Sequence, residues 1–415
     1  MQKIGVLDCN NFFVSCERLF RPDLKNKPVV VLSSNDGCVV ARSQEIKDKG
    51  IAMGVPYFQI KDTLKDIGAT TFSSNFALYR DISQRVFDVV KFELGSIEQY
   101  SIDECFFTVP NDSTDIIKNL KRQVERQVGI PISIGIAYSK TQANYIFRHA
   151  KKTNGIAILN DEEWSKQINE IRLSEIWGVG VNRSRKFAAQ GLIMVADLYS
   201  KPPSTIKSIF GVEGVRLQAE LMGKSVFKIA PARISQKSVT SSRSFASTVS
   251  NLSVLEDAVA FHVYQVTNDL KNMNLLTNSI RVTLSPGRYS DFSLQGASAE
   301  TTFNSPVSDI FVLNFEAKKL LKSCYKPSIP YKKVGIVLND LISNEVKQDS
   351  LFTNNSDSKV TNELSKIFFA INTKYKKSII QLGRVENKKE AWMGRKQSLS
   401  PAYTTNWADL KTVKA

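Results

Sequence analysis

Histidine is almost missing from this chain: His149 and His262 are the only two in 415 residues. A nucleophile–histidine triad or a histidine-rich zinc site is therefore disfavoured. Cysteine is sparse too. Cys9, Cys16, Cys38, Cys105 and Cys324 make an odd set with no metal-ligand or redox spacing. That pattern fits small buried residues in a reducing cytoplasm. No apolar run reaches the length of a membrane span, and the N-terminus lacks the basic-then-apolar pattern of an exported chain. Acids are outnumbered, 40 against 56 Lys and Arg, for a net charge of +16. Such an excess suits a polyanion, and without a membrane segment nucleic acid is favoured. The length suggests two to four domains, and 42% hydrophobic residues can build their cores.

Two places set acids where acids are costly. Tyr100-Ser101-Ile102-Asp103-Glu104-Cys105-Phe106-Phe107 carries adjacent carboxylates in an apolar, β-prone run. Burying one unpaired carboxylate is expensive, and two cost more. A hard cation such as Mg²⁺ relieves that cost. Because neighbouring strand side chains point to opposite faces, the chain must bend near Asp103-Glu104 for both to reach one site. The second place is Ile4-Gly5-Val6-Leu7, a short buried strand, followed by Asp8. If the two strands pair, Asp8, Asp103 and Glu104 meet at one end of a sheet, as in a two-metal phosphoryl-transfer site. The alternatives are that Asp8 only caps a following helix and that Asp103-Glu104 is a solvated turn.

With these acids stand Asp8-Cys9-Asn10-Asn11-Phe12-Phe13, Arg21-Pro22-Asp23-Leu24, Lys27-Pro28-Val29-Val30-Val31-Leu32, Asn35-Asp36-Gly37-Cys38-Val39, Phe72-Ser73-Ser74-Asn75 and Ser400-Pro401-Ala402-Tyr403-Thr404-Thr405. In this order they resemble the Y-family translesion DNA polymerases, on the UmuC-like branch of bacterial DNA polymerase V catalytic subunits. The resemblance runs nearly end to end. It implies an α+β, multidomain, right-hand-like polymerase: ferredoxin-like palm, small fingers, helical thumb with helix–hairpin–helix, and ferredoxin-like little finger.

Taken in order, residues 1–20 and 76–165 correspond to the palm and 21–75 to the fingers. In the fingers, strands Val29–Ser33 and Cys38–Arg42 flank the hairpin signal Asn35-Asp36-Gly37, and Ser43 caps a short helix that Gly50 ends. The resemblance implies that Phe13 is a steric gate beneath the nucleotide sugar and that Lys47 faces the triphosphate. On its own a single Lys on a helix such as Lys47 is more often a solvated charge, and only the resemblance lifts it above that; Arg42 is a weaker candidate. Lys151 and Lys152 compete for a phosphate contact, Lys151 being preferred for its Ala-Lys context. Residues 166–230 correspond to the thumb, where Gly178 and Gly180 precede a basic helix. Glycines there let backbone approach a phosphate, although an ordinary helix–helix turn has the same pattern. Phe210 to Val215 looks like a second copy.

Residues 235–342 repeat the order strand–helix–strand–strand–helix–strand, with Ser305-Pro306 opening the second helix. One sheet face bearing Arg243, Arg281 and hydroxyls would suit DNA backbone contacts; by resemblance this is the little finger. Residues 343–415 comprise a polar linker, Ser343 to Lys359, and a basic tail. In the linker, Gln348-Asp349-Ser350-Leu351-Phe352 resembles a sliding-clamp-binding peptide with Gln348, Leu351 and Phe352 as anchors. As a bare pattern it arises by chance more often than not; its place in a linker after the little finger argues the other way.

The resemblance further implies two Mg²⁺ ions on Asp8, Asp103, Glu104 and the Cys9 carbonyl, with primer-template DNA and deoxynucleoside triphosphates as substrates. A sliding clamp, a UmuD-like accessory protein and a RecA filament are the implied partners, and the cytoplasm the location. Error-prone copying of damaged DNA in the SOS response is the implied activity. A two-metal nuclease and a non-catalytic DNA-binding scaffold are the alternatives.

Overall fold

The computed structural model describes residues 2–109, 114–151, 155–230, 236–287, 295–346, 355–375, 379–382 and 396–410. The chain divides into two compact units: Met1–Ser33, Gly37–Ile234 and Gln397–Ala415 form the first, Ser34–Asp36 and Ser235–Lys396 the second.

The first unit begins with β1 (Lys3–Cys9), then α1 (Phe12–Phe20), β2 (Val29–Leu32), β3 (Val39–Arg42), α2 (Gln44–Asp48), α3 (Tyr57–Asp66) and β4 (Thr70–Ser73). Next come α4 (Phe76–Leu94), β5 (Ile97–Gln99), β6 (Glu104–Val109), α5 (Thr114–Gln127), β7 (Ile132–Ala137), α6 (Lys140–Ala150) and β8 (Ile156–Ile158). α7 (Asp161–Gln167), α8 (Val181–Ala189), α9 (Val195–Tyr199) and α10 (Pro203–Leu221) complete it.

β1 lies at the centre of a five-stranded sheet ordered β5-β6-β1-β7-β8. Its residues alternate between two cores, as strand geometry requires. Leu7 and Cys9 join Cys105, Phe107, Ile132, Ile134 and Ile136 in a core shared with α4 and α5. Ile4 and Val6 join Phe106 and the α6 residues Ala143, Ile146 and Phe147 in the other, which continues into α7 to α10. Each buried aliphatic side chain contributes roughly 1.5–3 kcal/mol, so a strand buried on both faces holds its register firmly. The expected hairpin is present, β2 pairing antiparallel with β3 and parallel with β4. Ser43 stands at the α2 N-cap without a capping bond; its Oγ accepts instead from the Val29 N–H at 3.1 Å. All five cysteines are free thiols, with Cys9, Cys16 and Cys105 buried.

The second unit runs β9 (Ser238–Val249), α11 (Leu252–Asn272), β10 (Leu275–Pro286), β11 (Ala297–Val307), α12 (Ile310–Cys324), β12 (Tyr331–Ser343) and α13 (Asn355–Lys374). Its antiparallel sheet is ordered β11-β10-β12-β9. Val239, Phe245, Ile280, Val282, Leu284, Val334 and Ile336 pack with α11 and α12. Two expectations are corrected here. Pro306 lies in β11 instead of opening a helix; α12 is capped by Asp309, whose Oδ1 accepts from the N–H groups of Phe311 at 2.7 Å and Val312 at 3.2 Å. The polar stretch up to Lys359 is not all linker, because α13 starts at Asn355 and buries Phe368 and Phe369 in the second unit's core.

Candidate active site

The last residue but one of β1 and the first of β6 are directly paired: Asp8 stands opposite Glu104. Paired residues on antiparallel strands present their side chains on the same face. Asp103 precedes the strand in a bend that Ser101 holds. Ser101 Oγ accepts from the N–H groups of Asp103 at 3.2 Å and Glu104 at 3.1 Å, and donates to Asp103 Oδ1 at 2.7 Å. The Cys9 N–H donates to the Asp103 carbonyl at 3.0 Å, fastening the bend to the end of β1. The bend expected at Asp103-Glu104 is thus a hydroxyl-bridged turn. Asp8 does not cap α1; the N-cap is Asn11, in the left-handed region at φ 48°, which asparagine tolerates.

Burial raises the proton affinity of Asp8 even though Lys151 pulls the other way. Glu104 is pushed up to about 7, first by burial and then by the charges of Asp8 and Asp103. Lys151 Nζ is 2.7 Å from Asp8 Oδ1. It reaches there because α6 lies very close to the sheet. A Cβ on Gly135 would stand 2.5 Å from the Phe147 nitrogen and 2.6 Å from the Ala143 oxygen, both α6 backbone atoms. Lys151 is the C-cap of that helix and passes its ammonium over the Phe147 ring at 4.8 Å. Lys152 lies outside the described residues. Lys47 Nζ donates to Asn11 Oδ1 at 2.6 Å. Its proton affinity is lowered by burial, then by the charges of Lys151 and Arg42, so three cations crowd toward the acids.

Among the described residues no three His, Cys, Asp or Glu side chains close into a ready-made metal cage. The donor set nonetheless fits a hard divalent ion. It consists of carboxylate oxygens, two of them with proton affinity raised by burial and mutual repulsion, which a cation relieves.

Phe13 follows on α1, half-buried. Its ring stacks on Tyr79 with centroids 4.5 Å apart and 13° between planes, and meets Phe76 edge-on at 5.6 Å. In the helical segment, Gly178 has φ 85° and Gly180 is the N-cap of α8, with open space where either Cβ would stand. A second glycine, Gly211 at φ 67°, breaks α10.

In the second unit the two arginines do not share a face. Arg281 pairs with Val337 and then Thr240, whereas Arg243 pairs with Val334, next to Leu284. Alternation therefore sends Arg243 to the helix side, where it lies 5.4 Å over the Phe261 ring and burial lowers its proton affinity. Arg281 faces away with Thr240, Ser242 and Thr283, and is held by Glu300 at 2.5 Å. The expectation of one face bearing both is corrected: hydroxyls and Arg281 occupy it, Arg243 does not. The reason is parity, since Arg243 is two residues from the buried Phe245. Gln348, Leu351 and Phe352 lie outside the described residues.

Sequence reasoning missed Ser101 and Asn11 as parts of the site. A serine two residues before an aspartate is a turn signal and was legible. Asn11 had none, because its role depends on Lys47 arriving from a distant segment.

Known proteins carry the same plan. UmuC of Salmonella typhimurium is 32% identical over 99% of this chain and 100% of its own length. Models of the impB/mucB/samB family and of its C-terminal domain match residues 7–147 and 236–351. The chain belongs to the impB/mucB/samB family. MucB of Escherichia coli is 31% identical over 98% of both chains, and DNA polymerase IV of Ureaplasma parvum 25% over 83% of this chain and 96% of its own. A domain of unknown function, DUF4113, matches residues 362–413. Among solved structures, a Y-family polymerase chimera of Dbh and Dpo4 is 21% identical with a TM-score of 0.68, covering 82% of this chain and all of its own. DinB from Sulfolobus solfataricus, 20% identical, covers the same shares with a TM-score of 0.52. This member of the impB/mucB/samB family is a UmuC-like, Y-family, DNA-directed DNA polymerase of the error-prone translesion class. The nuclease and scaffold alternatives are set aside.

Proposed function

We propose that nucleotide addition to a primer 3′ end opposite damaged template takes place at Asp8, Asp103 and Glu104. The pairing of Asp8 with Glu104, with Asp103 bridged beside them, carries the reading. Two Mg²⁺ ions held by these carboxylates and the Cys9 carbonyl would supply Lewis-acid activation of the 3′-hydroxyl and neutralise the triphosphate. Lys151 and Lys47 add positive charge for the incoming phosphates, and Lys151 exchanges Asp8 for them as substrate binds. Phe13 rejects a ribonucleotide by clashing with its 2′-hydroxyl.

The proposed division is residues 1–20 and 76–165 as palm, 21–75 as fingers, 166–230 as thumb and 235–342 as little finger; the three separate sheets support the palm, fingers and little finger, and the helical run α7 to α10 the thumb. The thumb turns at Gly178 and Gly180 and the hydroxyl face with Arg281 would hold the duplex by its phosphates. Gln348, Leu351 and Phe352 are assigned to a sliding clamp. A UmuD-like protein and a RecA filament are the remaining partners, and the SOS response in the cytoplasm the setting. No helix among the described residues is long and apolar enough to cross a membrane.

The test is primer extension by the full-length protein with Mg²⁺, with and without those partners, reading pyrophosphate release. Extension that Asp103→Asn silences is expected. Extension that survives Asp8→Asn and Asp103→Asn alike would move the chemistry elsewhere.

A further inference from the structure

The C-terminal segment of the first unit reaches the wall behind Phe13. The Ser73 N–H donates to the Ser398 carbonyl at 2.9 Å, and Leu399 bridges to Ser73 as a parallel strand residue. Asn75 Nδ2 then donates to Ser400 Oγ at 3.1 Å. Ser400 Oγ donates to Glu17 Oε1 at 3.0 Å, and the Tyr79 hydroxyl donates to the same oxygen at 2.7 Å. Tyr403 closes the segment down by stacking on Phe20 at 4.5 Å. Glu17 is fully buried, and its Oε2 has no hydrogen-bond partner among the described residues.

Phe13 and Glu17 are four residues apart on α1, so they lie on one helical face. Tyr79 is clasped between them, its ring against Phe13 and its hydroxyl on Glu17. A gate that works by steric clash discriminates only while its ring cannot yield, and the group behind the Phe13 ring is Tyr79. Tyr79 in turn is fixed by a carboxylate whose other bond comes from Ser400. A buried carboxylate that loses one of two hydrogen bonds must rearrange or take a proton, because its desolvation is no longer offset.

We propose that Ser400 and Glu17, acting through Tyr79, are positioning residues that set the stringency of the Phe13 sugar gate. The C-terminal segment is thereby a specificity element of the active site, with Ser400 standing 383 residues along the chain from Glu17. The inference rests on the reading of Phe13 as the gate.

The experiment measures single-nucleotide insertion by the full-length protein with its activating partners. Its readout is the ratio of kcat/KM for a deoxynucleotide to that for the matching ribonucleotide. Phe13→Ala calibrates the gate. Tyr79→Phe keeps the stacked ring and removes only the hydroxyl; Ser400→Ala removes the other bond; Ser400→Thr keeps it. Tyr79→Phe and Ser400→Ala should each lower the ratio by about tenfold, the scale of one hydrogen bond to a charged group. Ser400→Thr should restore it, and the double variant should fall no further than the worse single one. Where Ser400→Ala does not fold, Tyr79→Phe and Ser400→Thr decide. If Phe13→Ala opens the gate while Tyr79→Phe leaves the ratio unchanged, the coupling is wrong and the gate stands. The same holds if the variants only lower Tm. If Phe13→Ala itself leaves the ratio unchanged, the gate assignment fails and the inference with it.

Discussion

The two large sheets treat charge in opposite ways. The sheet centred on β1 buries carboxylates at one end, where desolvation and mutual repulsion raise Asp8 and Glu104 and draw in Lys151. The sheet of the second unit keeps its open face to hydroxyls and an arginine already paired with Glu300. Chemistry on a phosphate needs charge that is concentrated and dry, since electrostatic effects grow as water is excluded. Gripping a phosphate backbone without reading bases needs weak, replaceable contacts spread over a surface. On the function proposed above, the two sheets divide these needs: the first, mixed through its parallel β7–β8 pair, gathers the acids at one end, and the second, antiparallel throughout its described pairings, spreads its polar groups over one face.

The contrast is easiest to break at the carboxylates. Asp8→Asn or Asp103→Asn should cut nucleotide insertion by about a thousandfold or more while the protein stays folded. A loss under tenfold in single-turnover kinetics would contradict the concentrated-charge reading. Lys151→Ala comes next, with an expected drop of roughly tenfold to a hundredfold in kcat/KM for the nucleotide. Its signature is that Arg at 151 recovers more activity than Gln.

Gly135→Ala tests how Lys151 is delivered. The added Cβ meets helix backbone that cannot swing aside, so destabilisation of about 1–3 kcal/mol is expected in denaturant titrations. Insertion should weaken in parallel, and full activity with full stability would show that α6 need not lie so close.

Proton linkage gives the two regions opposite signs. Glu104 is held at about 7 when folded, against 4.5 as its ordinary value. The folded state therefore binds the extra proton, and without divalent ions this contribution weakens as pH rises from 4.5 through 7. His262 in the second unit is lowered from 6.5 to about 4 by burial, then by Arg243 and Lys333. Here the unfolded state binds the extra proton, so stability is lost as pH falls from 6.5 toward 4. Stability profiles of Glu104→Gln and His262→Gln should flatten in those respective windows. Identical profiles for both variants and the parent would remove the distinction.

The smallest effect is expected on the open face. Glu300→Ala releases Arg281 and should tighten DNA binding by about twofold to threefold, steepening the salt dependence by about one phosphate contact. Arg281→Ala should weaken it by a similar factor, and no change in either would take that face out of the interface.

Much of this was legible in the residues. β1 and β6 are apolar strands interrupted by acids, and their pairing brings Asp8 opposite Glu104 as patterning suggests. Alternation also fixes which side Arg243 takes: its polarity suggests the hydroxyl face, but Phe245 two residues on is the better guide and sends it to the helix side. Proline is a strong local signal and suggests a helix start at Pro306, but a carboxylate cap is a stronger one and the helix starts after Asp309.

Sequence alone determined most of the strands and helices of the two sheets, the basic excess and the acids that had to be compensated, since these follow from short-range periodicity and the cost of burying charge. Tertiary structure decided what compensates them. Lys151 meets Asp8 only because Gly135 admits α6, and Ser400 meets Glu17 only because the chain end returns to β4. Such contacts join segments far apart in the chain. They are fixed by packing and closure of the whole unit, which no local pattern encodes.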